Sequence, residues 1–286
     1  MSSNIVLGLA TRQNLLALQQ INDNMDTAQS HLSTGLKVNS AVDDAVKFFQ
    51  SQSLTQRAND ISARKDQIDQ GISSLTTATN AIQSVVATLQ QLQGVLTAAK
   101  TETASQRAAS ATQFTTIAKQ LNNLVNDASY QGLNLVNSTA STLSLQFSQL
   151  STSTMKVVGF NLLVSKLVST HVAASLLASK IVGTTFSKVS NKTSKFDAAF
   201  NTLQNAVFAA QSDAQALGGN VNFLQTRLQF SSQYIATLQG GSDKLVVADV
   251  NEESTNLVTL QTRQQLSIQS LSIATQSEQS VLRLFH

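Results

Sequence analysis

Two apolar seams of equal length dominate this sequence. The first runs Leu54, Ala58, Ile61, Lys65, Ile68, Ile72, Leu75, Thr79, Ile82, Val86, Leu89, Gln93 and Leu96, in alternating steps of four and three. The second follows the same rule from Phe196 through Phe200, Leu203, Val207, Ala210, Ala214, Leu217, Val221, Leu224, Leu228, Ser231 and Ile235 to Leu238. Such a spacing, about 3.5 residues on average, holds one stripe on one side of an α-helix and asks for a second helix against it. No proline occurs among the 286 residues to interrupt either run. The expected fold is therefore mainly α. It is an elongated antiparallel helical bundle or coiled-coil rod built from the N- and C-terminal arms, with a core of Ile68, Ile72, Leu75, Ile82, Val86, Leu89, Leu203, Val207, Leu217, Leu224, Leu228 and Ile235.

The two ends of the chain repeat the pattern with less apolar bulk. Near the start, Leu15, Leu18, Ile21, Met25, Ala28 and Leu32 step by three and four. Near the end, Leu257, Leu260, Leu271, Val281 and Phe285 share a face on which Gln264, Ser267 and Ala274 stand where larger residues are usual. A lone amphipathic helix is marginal in water, so these arms are expected to be mobile in a free monomer and to pair when copies assemble. Leu15, Leu18, Ile21, Leu32, Leu257, Leu260, Leu271, Val281, Leu284 and Phe285 are the candidate packing residues within and between subunits.

Local signals divide the chain further. Gly35 followed by Leu36 reads as a helix C-cap, and Ser40 with Asp43 reads as a capping box opening the next helix. Gly240 and Gly241 read as the end of the second long arm. Phe114, Ile117, Leu121 and Leu124 suggest a third, shorter helix, with the polar stretch Thr101 to Ser110 as its connection. Leu143, Leu145 and Phe147 alternate with Ser144, Gln146 and Ser148, and Met155 to Phe160 follows, which predicts a small β-hairpin mid-chain. The Ser/Thr-rich residues around it read as a solvated turn region. Leu163 to Ile181 fits a packed helix or strands. The window Leu162 to Val182 is the most apolar, but Lys166, His171 and Lys180 within it argue against a membrane span.

Composition removes most other functions. The net charge is only +3, aromatic residues make up 5% and charged ones 12%, and no basic cluster interleaves with aromatics, so nucleic acid is not an expected partner. Cysteine is absent, which excludes disulfides and thiolate zinc sites. His31, His171 and His286 are far apart and lack metal-ligand spacing, so no metal or cofactor is expected; His31, beside the end of the first helix, reads as a capping or packing residue. Asp43 and Asp44 are adjacent carboxylates at a helix start, where negative charge is stabilised without any catalytic role. An enzyme is not expected. The start, MSSNIVLGLATRQ, lacks a basic leader, so any export is expected to use a route without a cleaved signal.

The run His31 to Val46, HLSTGLKVNSAVDDAV, closely resembles the N-terminal signature of bacterial flagellins, in which a helix ends at L-S-[ST]-G before N-S-A-x-D-D-A. Asp66 to Ile82 resembles the helix around the family's D-G-I-S segment, Tyr130 to Val136 (YQGLNLV) resembles a family turn, and the ending V-L-R-L-F at Val281 to Phe285 is similar to the family's C-terminus. The resemblance covers both terminal thirds. It implies an inner terminal-helix domain from 1–44 plus 245–286, a helical rod domain from 45–137 plus 195–244, and a short variable insert with the hairpin at 138–194. It also implies a structural subunit that polymerises into the extracellular filament of the bacterial flagellum for motility. The implied partners are further copies of the chain, the flagellar type III export apparatus, an export chaperone, and hook-associated and cap proteins. A flagellar hook-filament junction protein is the nearest alternative; a non-flagellar secreted coiled-coil interaction protein is a more distant one. His31 and Lys47 stand where the family has Arg and a small residue. Gln91 and Gly94 replace the Arg and Glu by which some flagellins engage Toll-like receptor 5, which predicts weak recognition.

Overall fold

A computed structural model describes residues 9–149, 152–164 and 192–284. Among them the chain forms five helices, α1 (Leu9–Thr34), α2 (Ala45–Thr101), α3 (Ala104–Asp127), α4 (Lys192–Val246) and α5 (Val250–Leu284), and one antiparallel hairpin, β1 (Thr142–Gln146) with β2 (Thr154–Val158). It divides into two compact units, one formed by Met1–Ala58 with Ala236–His286 and the other by Asn59–Ile235.

With no proline to break them, α2 and α4 run for 57 and 55 residues. Their Ser and Thr residues are weak helix formers, yet many are absorbed into the helix itself. Ser73, Thr77, Thr79, Thr88 and Thr97 each donate a hydroxyl to the carbonyl four residues back, at 2.8–3.0 Å. Thr79 thus occupies a seam position without an unsatisfied group.

In the unit Asn59–Ile235 both long seams turn inward. Ile68, Leu75, Ile82 and Leu89 from α2, and Leu203, Val207, Leu217 and Leu224 from α4, lie in one apolar core, with Ile72, Val86 and Leu228 packed at its margin. Ile235 is half-buried. Gln93 Nε2 donates to Gln204 Oε1 at 3.0 Å and Lys100 Nζ to Asp197 Oδ1 at 2.7 Å, which sets α2 antiparallel to α4. The heptad rule captures only half of what α2 buries here. A second stripe, Gly71, Ser74, Ala78, Ala81, Val85, Leu92, Val95 and Ala99, is buried too, because the same core also holds Phe114, Ile117, Leu121 and Val125 of α3 and Leu145, Phe147 and Val157 of the hairpin. Its small residues give little hydropathy contrast. Gly71 is the tightest point: a Cβ there would stand 2.5 Å from Leu145 Cδ1.

The third helix starts earlier than its apolar spacing suggests. Only Glu102 and Thr103 separate α2 from α3, so most of the polar stretch that reads as a connection is helical. Gln106 Oε1 accepts from the amide and hydroxyl of Thr103, at 3.0 and 2.8 Å, and Ser110 Oγ donates to Glu102 Oε2 at 2.6 Å. After α3, buried Asn134 gives Nδ2 to the carbonyls of Val125 and Asn126 and takes the amides of Val136 and Asn137 on Oδ1. Tyr130 and Leu133 exchange both backbone bonds at 2.9 Å around Gln131 (φ 49°) and Gly132 (φ 81°), a pair of left-handed residues. The hairpin pairs Thr142 with Val158 through Gln146 with Thr154. Most of Leu163 to Ile181, including His171, lies outside the described residues. No described helix is long and apolar enough to cross a membrane.

Candidate assembly site

The two chain ends meet in the other unit. Helices α1 and α5 pack against each other along much of their length. The arms therefore pair within one chain, each covering the apolar stripe of the other. Glu253 Oε1 lies 2.9 Å from His31 Nδ1, and Gln264 Nε2 donates to Asn22 Oδ1 at 2.7 Å, so the pair is antiparallel. His31 sits in the last turn of α1 and Glu253 in the first turn of α5, where the helix dipoles favour a cation and an anion respectively.

The contact on α5 uses Glu253, Leu257, Leu260, Gln264, Ser267, Leu271 and Ala274, in unbroken alternating steps of four and three, and all seven are half-buried. On α1 the matching set is Thr11, Asn14, Leu18, Ile21, Met25, Ala28 and Leu32, of which only Thr11 and Ala28 are fully buried. Leu15 does not belong to it. Asn14 takes the seam position, and Leu15 is turned out, 41% exposed. Phe285 lies outside the described residues, as do the side chains of Val281 and Leu284.

Loops tie the pair to the long helices. Gly35, at φ +72°, caps α1 by donating its amide to the His31 carbonyl at 2.8 Å. Leu36 then bridges Val247; Lys37 and Val38 donate to the Val246 carbonyl, and Ala248 donates to that of Gly35. The Ser40–Asp43 motif is a turn, not the cap of α2. Asp43 Oδ2 accepts from the amides of Asn39 and Ser40 and from the Ser40 hydroxyl, at 2.8–3.1 Å. Asp44 is the cap, its Oδ1 taking the Lys47 amide at 3.0 Å while its other oxygen pairs with Lys47 Nζ. Each carboxyl is held below the ordinary 3.8, Asp43 chiefly by the Ser40 and Asn39 amides and Asp44 chiefly by that of Lys47.

Gly240 and Gly241 do not end the second long arm. Helix α4 continues through them to Val246. Glycine costs a helix about 1 kcal/mol, and no close contact requires it here: nothing lies within 4 Å of a Cβ on Gly240, and one on Gly241 would meet Leu54 at an ordinary 3.6 Å. One residue on, Ser242 Oγ lies 2.8 Å from Ser51 Oγ and 3.0 Å from Thr55 Oγ1. Small polar residues thus form a close helix contact that apolar periodicity does not reveal.

Apolar side chains also cover the side of α5 turned away from α1. Val258, Leu266 and Ile273 recur there at close to heptad spacing and are 62%, 63% and 57% exposed; Leu16 on α1 is 64% exposed. A helix apolar on two opposite sides needs more neighbours than one chain supplies. Among the described residues no three or more His, Asp or Glu side chains are grouped to hold a metal ion.

Such a molecule is a structural subunit, made of long helices whose paired ends are only half-buried. Comparison with known proteins gives the family. The model of the bacterial flagellin N-terminal helical region matches residues 4–141, and that of the flagellin C-terminal helical region matches 237–285. A flagellin of Brucella melitensis is 28% identical, with 95% of each chain covered, and Flagellin C of Rhizobium meliloti is 26% identical, with 99% of each covered. A solved structure of a putative flagellar hook-associated protein from Vibrio parahaemolyticus shares the fold, with a TM-score of 0.61 over 72% of this chain and 100% of that one, at 13% identity. The chain belongs to the bacterial flagellins, the structural subunits that polymerise into the extracellular flagellar filament. Its full-length relatives are flagellins, so the junction-protein alternative is not favoured.

Proposed function

We propose that α1 and α5 form the inner assembly element of this flagellin, and that neighbouring copies cover the outer stripe of Val258, Leu266 and Ile273 together with Leu15 and Leu16. The reading rests on one contrast: the seams of the unit Asn59–Ile235 are largely dry, whereas the α1–α5 seam stays half-wet and α5 is apolar on both sides. Leu18, Ile21, Leu32, Leu257, Leu260 and Leu271 hold the pair together. Covering an exposed aliphatic side chain contributes about 1.5–3 kcal/mol before ordering costs. The contact repeats in every subunit, and unlike surfaces joined head to tail propagate without closing.

The division that goes with this reading is an inner domain of 1–44 plus 245–286, a rod domain of 45–137 plus 195–244, and an insert at 138–194. Family membership supports export through the flagellar type III apparatus, with a chaperone over the C-terminal arm, and contacts with hook-associated and cap proteins at the filament ends. Recognition by Toll-like receptor 5 is weak, since Gln91 and Gly94 stand exposed on α2 without the charges the motif needs; potent activation in a reporter-cell assay refutes this. The test of the assembly reading is the double substitution Leu266→Gln with Ile273→Gln. The monomer keeps its circular dichroism spectrum, and electron microscopy finds no filaments. Filaments of normal length and number would remove the outer stripe from assembly.

A further inference from the structure

One edge of the hairpin faces a groove. Phe147 donates its amide to the Ser153 carbonyl at 2.9 Å and Gly159 donates to that of Ser141 at 2.7 Å. In an antiparallel ladder this places Leu143, Leu145 and Phe147 in the bonded pairs and turns the peptide groups of Thr142, Ser144 and Gln146 away from β2. Beside that free edge lies a groove of about 450 Å³, bordered by Gln67, Gln70 and Ser74 of α2 and by the Tyr130–Leu133 turn. Its size is within the range of ligand-binding clefts.

The lining is uncharged: Leu133, Leu143 and Leu145 give it an apolar part, and Gln67, Gln70, Ser74 and Tyr130 supply hydrogen-bonding groups. Tyr130 Oη and Gln131 Nε2 both donate to Gln70 Oε1, at 2.8 and 3.0 Å, which holds the turn in place and keeps the groove open. Ser74 is 5% exposed, yet its Oγ has no hydrogen-bond partner among the described residues. A buried hydroxyl left unpaired costs about 1–3 kcal/mol. A row of unpaired peptide groups beside it is a template for another strand.

The two edges of the hairpin differ in how they are guarded. On β2, Lys156 is exposed, and a lysine is a common device against edge-to-edge pairing. On β1, the sequence TLSLQ has no charge, proline or bulge to prevent it. We propose that β1 accepts an extended segment of a second copy as a third strand, laid in this groove, with Ser74 and the Ser144 peptide group among its partners. A second copy is the occupant because self-assembly is the established property of the chain. The uncharged groove also suits a chain in which only 12% of residues are charged. The inference uses polymerisation itself and is independent of the α5 stripe.

Two experiments on the full chain test it. Ser144→Pro removes an amide that the hairpin does not use, whereas Ser144→Ala keeps it; proline is tolerated on an edge strand. Filament elongation from seeds slows at least tenfold for Ser144→Pro and less than twofold for Ser144→Ala, with both monomers keeping the wild-type melting curve. Equal elongation by the two variants overturns the proposal. The chain has no native cysteine, so Ser144→Cys carries a benzophenone maleimide at one site. Photolysis in filaments mixed with isotope-labelled, cysteine-free copies joins residue 144 to an extended segment of a labelled copy. Cross-links confined to the same chain, or running into a neighbour's helix, overturn it even when filaments form normally.

Discussion

Replacing glycine by alanine inside a helix normally stabilises it by about 1 kcal/mol. Two glycines of α2 are expected to respond with opposite signs. At Gly94, exposed and with nothing within 4 Å of an added Cβ, alanine is expected to give that gain. At Gly71 the new methyl meets Leu145 Cδ1 at 2.5 Å, Cδ2 at 3.0 Å and Cγ at 3.3 Å. Leu145 is only 5% exposed and packed into the core, so the new methyl must push it out of its packed position, toward the groove that it borders. Overpacking of this kind costs about 1–3 kcal/mol. Set against the same propensity gain, Gly71→Ala is expected to range from neutral to about 2 kcal/mol destabilising, a difference of about 1–3 kcal/mol from Gly94→Ala. Leu145→Ala alone costs about 2–5 kcal/mol through the cavity it leaves. In the double variant Gly71→Ala with Leu145→Ala the new methyl occupies part of that cavity, so the combined loss falls short of the sum of the two. Urea unfolding of the four variants, followed by far-ultraviolet circular dichroism, measures all of these terms. A Gly71→Ala variant stabilised as much as Gly94→Ala would refute the claim that the hairpin is seated on the glycine, and strict additivity with Leu145→Ala would refute the contact.

Asp43 and Asp44 have folded-state pKa values depressed below 3.8, so the order they confer on the α1–α2 loop is full above that value and lost as pH falls through the folded one. Hydrogen exchange at the Ser40 amide is expected to accelerate over that acid range in the wild type and to be fast and nearly pH-independent in its protection for Asp43→Ala. Ser242→Leu drives a branched side chain into the Ser51–Thr55 contact and is expected to destabilise the unit by about 1–3 kcal/mol, read from its melting curve. Polar groups bonded across a helix seam define register at some expense of stability, and Asn22, beside the α1 seam, accepts from Gln264 within that of α5. Asn22→Leu with Gln264→Leu is accordingly expected to slow hydrogen exchange in α1 and α5 tenfold or more while broadening the distances between the two helices seen by paired spin labels. Faster exchange would contradict the half-wet description of that seam.

The elements that the sequence reveals are those with a repeated, high-contrast signal. Leu75, Ile82 and Leu89 announce one side of α2 because larger apolar residues recur between Gln and Ser. The second buried side of the same helix is built from Gly71, Ser74, Ala78 and Ala81 and sends no such signal, since small residues are equally at home in water. Gly240 and Gly241 read as a stop, yet α4 runs on through them to Val246, where Ser242 meets Ser51 and Thr55 of α2. The Ser40–Asp43 spacing fits a capping box and a turn equally well; the chain uses it as a turn because Asp44, one residue later, satisfies the first free amides of α2. Leu15 reads as a seam residue because it is larger than Asn14. Only the position of α5 shows that Asn14 faces inward. At the candidate site, Glu253 as the partner of His31 is invisible in the sequence, for the two are brought together solely by the antiparallel return of the chain.

The sequence by itself determined that this chain is helical, that its helices are long, and that its ends carry stripes needing other helices. Those properties follow from local periodicity, the absence of proline and the identity of single turns such as L-S-T-G, all of which act within a few residues along the chain. Tertiary structure decided which stripe meets which, where a glycine is a contact and where it is merely a gap, and which apolar residues of α5 remain uncovered. These depend on pairs such as His31 with Glu253 and Gly71 with Leu145, whose energies come from contact across the fold and have no counterpart in any one segment.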